Sequence, residues 1–280
     1  QLVAEGIRFI TGVQVEATRE ITKLQRSTNA IVLACGCREP RDVPVPGREL
    51  KGIYYALDYL SQQNHRIAGD AIEPEAAILA KNKDVVVIGG GDTGADCVGT
   101  AIRQGAETVT QVQYHDQPSE HTDILQYWPK PKPKFRSPDM EDEGCQRIWG
   151  WNTIRFEHLD EHVTGIRLQR LKWTERSNGR SEKWPLPGQF LCLPAQLVLL
   201  AAGYAHPFHD GLVEHLGLQL DGHGNVSASD TDYQTNKDGI FACGDMRRGQ
   251  SLIVWAIREG RQCAHAVDAW LMGCSNLPIV

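Results

Sequence analysis

Four β-branched residues running straight into three glycines leave few folds open to this chain. The run is Asp84-Val85-Val86-Val87-Ile88, followed by Gly89-Gly90-Gly91-Asp92-Thr93-Gly94-Ala95-Asp96. The apolar stretch reads as a strand buried on both faces, the habit of parallel sheets. The pattern predicts a helix from Asp92 to Gln104, closed by Gly105, and a second strand over Val109–Val112. Within the turn lies G-x-G-x-x-G, as Gly89, Gly91 and Gly94. The first glycine permits a tight turn, the second lets a pyrophosphate approach the backbone, and the third lets helix and strand pack closely. The helix N-terminus adds N–H donors and a positive dipole end. Strand, glycine turn, helix and strand in that order point to dinucleotide binding. The plainer alternative is a glycine-rich turn that binds nothing.

Bulk properties narrow the rest. A length of 280 residues allows one large domain or two moderate ones. Net charge is −6, which offers no basic field to nucleic acid. No apolar run approaches the ~18 residues of a membrane span. The eight cysteines are scattered and include no C-x-x-C, which fits a reducing, cytoplasmic setting and leaves no metal-ligand run. All eight read as buried thiols. His158 and His162 flank a turn-like Asp160-Glu161 and do not suggest a metal site.

Along the chain, 7–10, 21–25 and 30–34 read as strands, and 52–63 as a helix. A crossover between domains falls in 64–83. Residues 114–147, with Trp128-Pro129-Lys130-Pro131-Lys132-Pro133-Lys134, read as an extended, proline-rich excursion. Residues 154–158, 165–173 and 188–192 read as a β-meander. Gln196–Gly203 repeats the pattern of Ala30–Gly36, an apolar strand ending in small residues and glycine. That echo suggests two similarly built halves. Another strand ends on Gly244-Asp245, and 250–272 reads as an amphipathic helix interrupted at Gly260. Its inner face is expected to carry Leu252, Ile253, Ala256, Ile257, Ala264, Val267 and Leu271. A carboxylate beyond a strand can bind ribityl or ribose hydroxyls. A helix opening at Ser251 can favour negative charge developing on a flavin. The plainer reading of Asp245 is a turn or N-cap aspartate.

Taken together, these stretches resemble the flavin- and pyridine-nucleotide-dependent disulfide oxidoreductases. Within that superfamily, Gly89–Cys97 and Gly244–Arg261 are similar to the small subunit family of glutamate synthase. The resemblance implies an α/β protein of two interleaved Rossmann-like FAD- and NAD(P)-binding domains, with parallel sheets, helices and a β-meander. Residues 1–78 and 206–280 would form an FAD domain split by an NAD(P) domain at 79–205. Gly89, Gly90, Gly91, Asp92, Thr93 and Gly94 match the pyridine-nucleotide turn, and Ala202 and Gly203 the strand end closing that domain. Ala34, Cys35 and Gly36 match the strand end of the FAD domain. Gly244 and Asp245 match the flavin-binding pair, and Ser251, Leu252 and Ile253 the helix start near the flavin ring.

The implied activity is hydride transfer from NAD(P)H to FAD. Electrons would then pass through iron–sulfur centres to a glutamate-forming large (α) subunit. No catalytic acid or base is expected, nor a metal ligand, nucleic acid or membrane partner. The family's FAD domain opens with its own G-x-G-x-x-G and carries cysteine clusters for 4Fe–4S centres upstream. Neither is present here, so the expectation is a chain starting within the FAD domain and retaining FAD weakly. The second strand exits as Gln113-Tyr114-His115-Asp116, with no arginine before Arg136. Asp116 then stands where NAD sites place an acidic partner for the ribose hydroxyl, which favours NADH over NADPH. Two rivals stay open: a related flavin oxidoreductase with another acceptor, and a non-catalytic nucleotide-binding module.

Overall fold

A computed structural model of the chain describes residues 1–15, 18–117, 144–175 and 181–279. The Trp128–Lys134 segment lies outside the described residues. The chain forms two compact units, 1–41 with 204–280, and 42–203. Residues 42–78, placed by sequence with the first unit, group with the second.

The second unit holds a parallel sheet of five strands. In chain order these are β2 (Ile53–Tyr55), β3 (Asp84–Ile88), β4 (Thr108–Gln113), β5 (Gln146–Trp149) and β9 (Leu197–Leu200). Their spatial order is β2-β9-β3-β4-β5. Strands β6 (Trp151–Leu159), β7 (His162–Glu175) and β8 (Ser181–Pro194) form a separate antiparallel meander. Val85, Val87, Leu197 and Leu199 join one apolar cluster with Ala56, Tyr59, Cys97, Val98 and Ala101 of helices α2 (Ala56–Ala68) and α3 (Gly91–Arg103). Val86, Val198 and Leu200 point the other way, packing with Phe156, Ile166 and Leu168 of the meander. Both sheet faces are covered. That is why β3 after Asp84, and the whole of β9, are apolar rather than alternating.

The first unit pairs β1 (Ile31–Leu33) with β10 (Ile240–Ala242) in parallel. Ile240 and Ala242 pack with Ile21, Leu33, Val213 and Met246. Phe241 and Cys243 pack with Tyr233, Cys263 and Ala266. The remaining elements are α1 (Thr18–Ser27), α4 (Leu212–Leu216), α5 (Asp245–Arg248) and α6 (Ile253–Met272).

Several sequence expectations are corrected. Residues 21–25 lie in helix α1, because Ile21 and Leu24 stand one turn apart among charged neighbours, and only Ile21 is buried. Residues 7–10 form no strand; the Ile7 N–H closes a turn onto the Leu2 carbonyl, and Ile7, Phe9 and Ile10 are exposed. The helix expected at 52–63 starts at Ala56, since Ile53–Tyr55 is taken up by pairing with β9. Gln146 and Arg147, read as loop, belong to β5 beside β4. Helix α6 runs unbroken through Gly260, and its face is rotated from the expected one. Ile253 (78% exposed) and Ile257 (58%) face outward, whereas Glu259, Cys263 and Ala266 are buried. Cys35, Cys192 and Cys274 are exposed, so only five of the eight thiols are buried.

Candidate functional site

The glycine turn of the second unit is built by close backbone approach. Gly89 has φ +115°, and its N–H donates to the Val112 carbonyl at 2.9 Å. A Cβ on Gly89 would stand 2.2 Å from the Ala201 carbonyl oxygen and 3.2 Å from the Ala202 nitrogen. The exit of β3 is thus pressed against the exit of β9, which brings Ala202 and Gly203 beside the turn. Gly90 is extended, with the Gln113 carboxamide lying over it. Gly91 has φ +74°, and a Cβ there would meet nothing within 4 Å. Gly94 faces inward, where a Cβ would sit 2.8 Å from Gln111 Nε2 and 3.0 Å from the Gly89 carbonyl oxygen. Asp92 and Thr93 fall in the first turn of α3. From β3 the chain crosses to β4 on one side, and β9 lies on the other. The carboxyl end of β3 is therefore a topological switch point, where open α/β sheets present a crevice for ligands.

Asp116 lies beyond the end of β4. It sits beside Gly150, with the Arg170 guanidinium at the same glycine. Here the meander contributes side chains that the sequence reading missed. Arg170 donates to the Trp149 carbonyl and covers the Trp151 ring at 5.5 Å. Trp173 donates from Nε1 to the Tyr114 carbonyl at 2.9 Å and stacks on His115 at 4.8 Å. The Lys183 ammonium lies 4.8 Å from the Tyr114 ring centroid. Burial, followed by the Lys183 charge, pushes the His115 pKa below its ordinary value, and Asp116 partly opposes this. A cleft of about 520 Å³ opens at the other end of the sheet, beside Lys51 and Phe156. Lys51 there is already paired with Glu161 at 2.6 Å.

In the first unit, the Cys243 N–H donates to the Leu33 carbonyl at 3.1 Å. That bond aligns Ala34–Gly36 with Cys243–Asp245. Gly36 and Gly244 both have positive φ, +77° and +68°, and a Cβ on either would meet nothing within 4 Å. Asp245 opens α5, and its Oδ1 accepts from Ser251 Oγ at 2.5 Å. Leu252 caps α6 in an extended conformation, and Ile253 begins it. Burial pushes the Cys37 thiol above its ordinary value.

Beneath this turn lies Glu259, 1% exposed. Its Oε2 accepts from the Gly244 N–H at 2.8 Å and from Arg247 Nε at 3.1 Å. Its Oε1 accepts from Arg247 Nη2 at 2.5 Å and Arg248 Nε at 2.9 Å. Burial alone would raise its pKa, but Arg247, Arg248 and the Gly244 N–H hold it below the ordinary 4.5. A carboxyl whose pKa is lowered by folding contributes stability in full above its unfolded value, and loses it as pH falls through the folded one. The urea midpoint of the first unit should therefore decline as pH drops below about 4.5, and Glu259→Gln should flatten that decline.

The family model for pyridine nucleotide-disulphide oxidoreductases matches residues 2–260. The chain belongs to that family. A relative named glutamate synthase (NADPH) small chain, from Mycobacterium tuberculosis, is 41% identical over 99% of this chain and 56% of its own length. One of the same name from Bacillus subtilis is 37% identical over 57% of its length. Glutamate synthase (NADH) of Schizosaccharomyces pombe is 35% identical over 14% of its length. This oxidoreductase chain thus spans about half the length of the bacterial relatives it matches. Among solved structures, Mycobacterium tuberculosis FprA in complex with NADPH superposes with TM-score 0.62 at 17% identity, covering 89% of this chain and 64% of that one. Thioredoxin reductase of T. acidophilum superposes with TM-score 0.54 at 18% identity, covering 85% and 64%. These likenesses establish the α/β fold. No helix of the described residues is long and apolar enough to cross a membrane.

Proposed function

We propose that this chain is the NAD(P)H-oxidising portion of a flavoprotein of the glutamate synthase small-subunit kind. The observation that carries this reading is the glycine turn at the switch point, with Gly91 open to approach and Gly89 and Gly94 closed against β9 and β4. A diphosphate fits beside Gly91, where a side chain would otherwise stand, and the N-terminus of α3 favours its charge. Gly89–Gly94 would hold the diphosphate, and Ala202 and Gly203 would bound its crevice. In the first unit, Ala34–Gly36, Gly244 and Asp245 leave an open strand end with a carboxylate steadied by Ser251. Such a site suits the hydroxyls of FAD. The N-terminus of α6, at Ser251–Ile253, would favour negative charge near the flavin ring.

The chemistry supplied by the bound groups is hydride donation from the nicotinamide nucleotide to FAD, with iron–sulfur centres and a glutamate-forming large subunit downstream. The protein's share is binding, orientation and electrostatics. Support for the glutamate synthase assignment comes from relatives that bear that name over 99% of this chain. NADH is the proposed donor. Asp116 at the exit of β4 favours a free ribose hydroxyl, and an acidic side chain repels a 2′-phosphate. Arg170, beside Asp116 at Gly150, and Lys183 are the groups that would carry the opposite preference.

Two measurements test the reading. Titration of the chain with each nucleotide should give a lower Kd for NADH; tighter binding of NADPH would overturn the Asp116 role and transfer the choice to Arg170 and Lys183. The full-length protein with its large subunit should form glutamate from glutamine and 2-oxoglutarate at the expense of NAD(P)H. Dye reduction without glutamate formation would assign a different acceptor.

A further inference from the structure

Gln111 is a buried amide where the fold calls for a hydrocarbon. It lies in the middle of β4, 2% exposed, directly across from Val87. Its neighbours on that face, Val85, Val87 and Val109, belong to the apolar cluster under α2 and α3. Leucine or methionine would fill the same space without burying polar atoms. The amide is satisfied by one specific partner: Nε2 donates to the Gly89 carbonyl oxygen at 3.0 Å. The same nitrogen would stand 2.8 Å from a Cβ on Gly94. Gln111 therefore fills the corner between the glycine turn and the first turn of α3.

The consequence follows from peptide planarity. In a trans peptide the carbonyl of Gly89 and the N–H of Gly90 point in opposite directions. Drawing the Gly89 carbonyl inward, toward β4, aims the Gly90 N–H outward from the turn. Glycines at this bend, with φ +115° at Gly89, have no side chain to restrict that peptide plane. Something else must fix it, and the Gln111 amide does so through its bond to the Gly89 carbonyl. We infer that Gln111 is a positioning residue that sets the Gly89–Gly90 peptide so that its N–H faces the diphosphate of a pyridine nucleotide. This rests on the nucleotide-binding reading of the glycine turn.

The test is the affinity of the chain for NADH and NADPH, read by titration, with the urea midpoint measured alongside. Gln111→Met keeps volume and loses the donor. It should weaken both nucleotides by about tenfold, the effect of one hydrogen bond. Its urea midpoint should fall only modestly, because losing the buried amide offsets part of the cost of leaving the Gly89 carbonyl without its donor. Gln111→Glu supplies a second, independent readout. Ionised, its carboxylate cannot donate to the Gly89 carbonyl; protonated, it can. Its nucleotide affinity should rise toward the wild-type value as pH falls, relative to the wild type measured at the same pH. Compared at pH values where the urea midpoint of Gln111→Glu equals that of the wild type, a purely packing role would not produce that pH dependence. Binding by Gln111→Met within twofold of the wild type, or a Gln111→Glu affinity that tracks the wild type at every pH, would overturn the assignment. A wild-type chain that binds neither nucleotide would instead overturn the reading of the turn itself.

Discussion

Gly89→Ala should unfold the nucleotide turn, while Gly91→Ala, two residues on, should leave it folded but unable to bind. The difference lies in what each new methyl group meets. At Gly89 it would stand 2.2 Å from the Ala201 carbonyl oxygen, which is backbone and cannot rotate away. The φ of +115° also belongs to a region that side-chain-bearing residues avoid. Strain of that kind costs about 1–3 kcal/mol before the clash is counted. β3 and β9 would have to separate, so loss of nucleotide binding should come with a clearly lower urea midpoint for the second unit. At Gly91 the methyl group meets nothing within 4 Å, and the left-handed φ of +74° costs about 1–2 kcal/mol. That methyl group occupies the space proposed for the diphosphate. Gly91→Ala should therefore lose nucleotide affinity by far more than its small stability change accounts for. Equal losses of binding and stability in both variants would refute the assignment of the turn.

Glu259→Ala should be the most destabilising single change in the first unit. It removes the carboxylate that holds Arg247 and Arg248 and leaves the Gly244 N–H without its acceptor. The side chains of Glu259 and Arg247 are 2% and 15% exposed, so neither recovers much hydration. Breaking one partner out of a buried pair costs about 3–5 kcal/mol. Urea unfolding followed through Trp255 and Trp270 fluorescence checks the size. Glu259→Gln, which keeps one acceptor oxygen, should lose less. A loss for Glu259→Ala below about 1 kcal/mol, the level of an exposed pair, would show that the network is not structural. Because Glu259 anchors the peptide of Gly244, the same variant should weaken FAD binding to the full-length protein.

The parallel sheet was legible from sequence because its signal is local. Val85–Ile88 and Leu197–Leu200 are apolar on both faces, Val109 and Val112 frame a third strand, and the glycines that end the first of these strands are unmistakable. The two glycine-and-aspartate turns were legible for the same reason. What escaped was decided by distant partners. Ile21 and Leu24 alternate with polar residues loosely enough to suit strand or helix until α1 finds its core. Glu259 reads as a solvent residue on an amphipathic helix, and only the pair Arg247-Arg248, brought beneath it by α5, makes its burial tolerable. Helix α6 was therefore assigned the wrong face. Arg170, Trp173 and Lys183 lie far along the chain from Tyr114–Asp116, and nothing in their spacing announces the meeting. Gln111 was overlooked because Thr110 and Gln113 flank it, so one more polar side chain in that strand carries no signal of its own.

The chain leaves the first unit at Arg41 and returns to it at Tyr204, and these points are tied side by side. Pro40 bridges Tyr204, Ala205 donates to the Glu39 carbonyl, Glu39 donates to that of His206, and Arg41 Nε donates to that of Tyr204. If residues 42–203 were an unstructured coil, bringing those ends together would cost on the order of 4–5 kcal/mol of chain entropy. Folded, the same residues remove most of that cost, because their own packing already limits how far the ends can wander. The pairing of β1 with β10 is consequently subsidised by the sheet of the other unit. Substitutions that melt β3 against β9 should loosen Ile31 from Ile240 as well, although no side chain of the first unit has been altered.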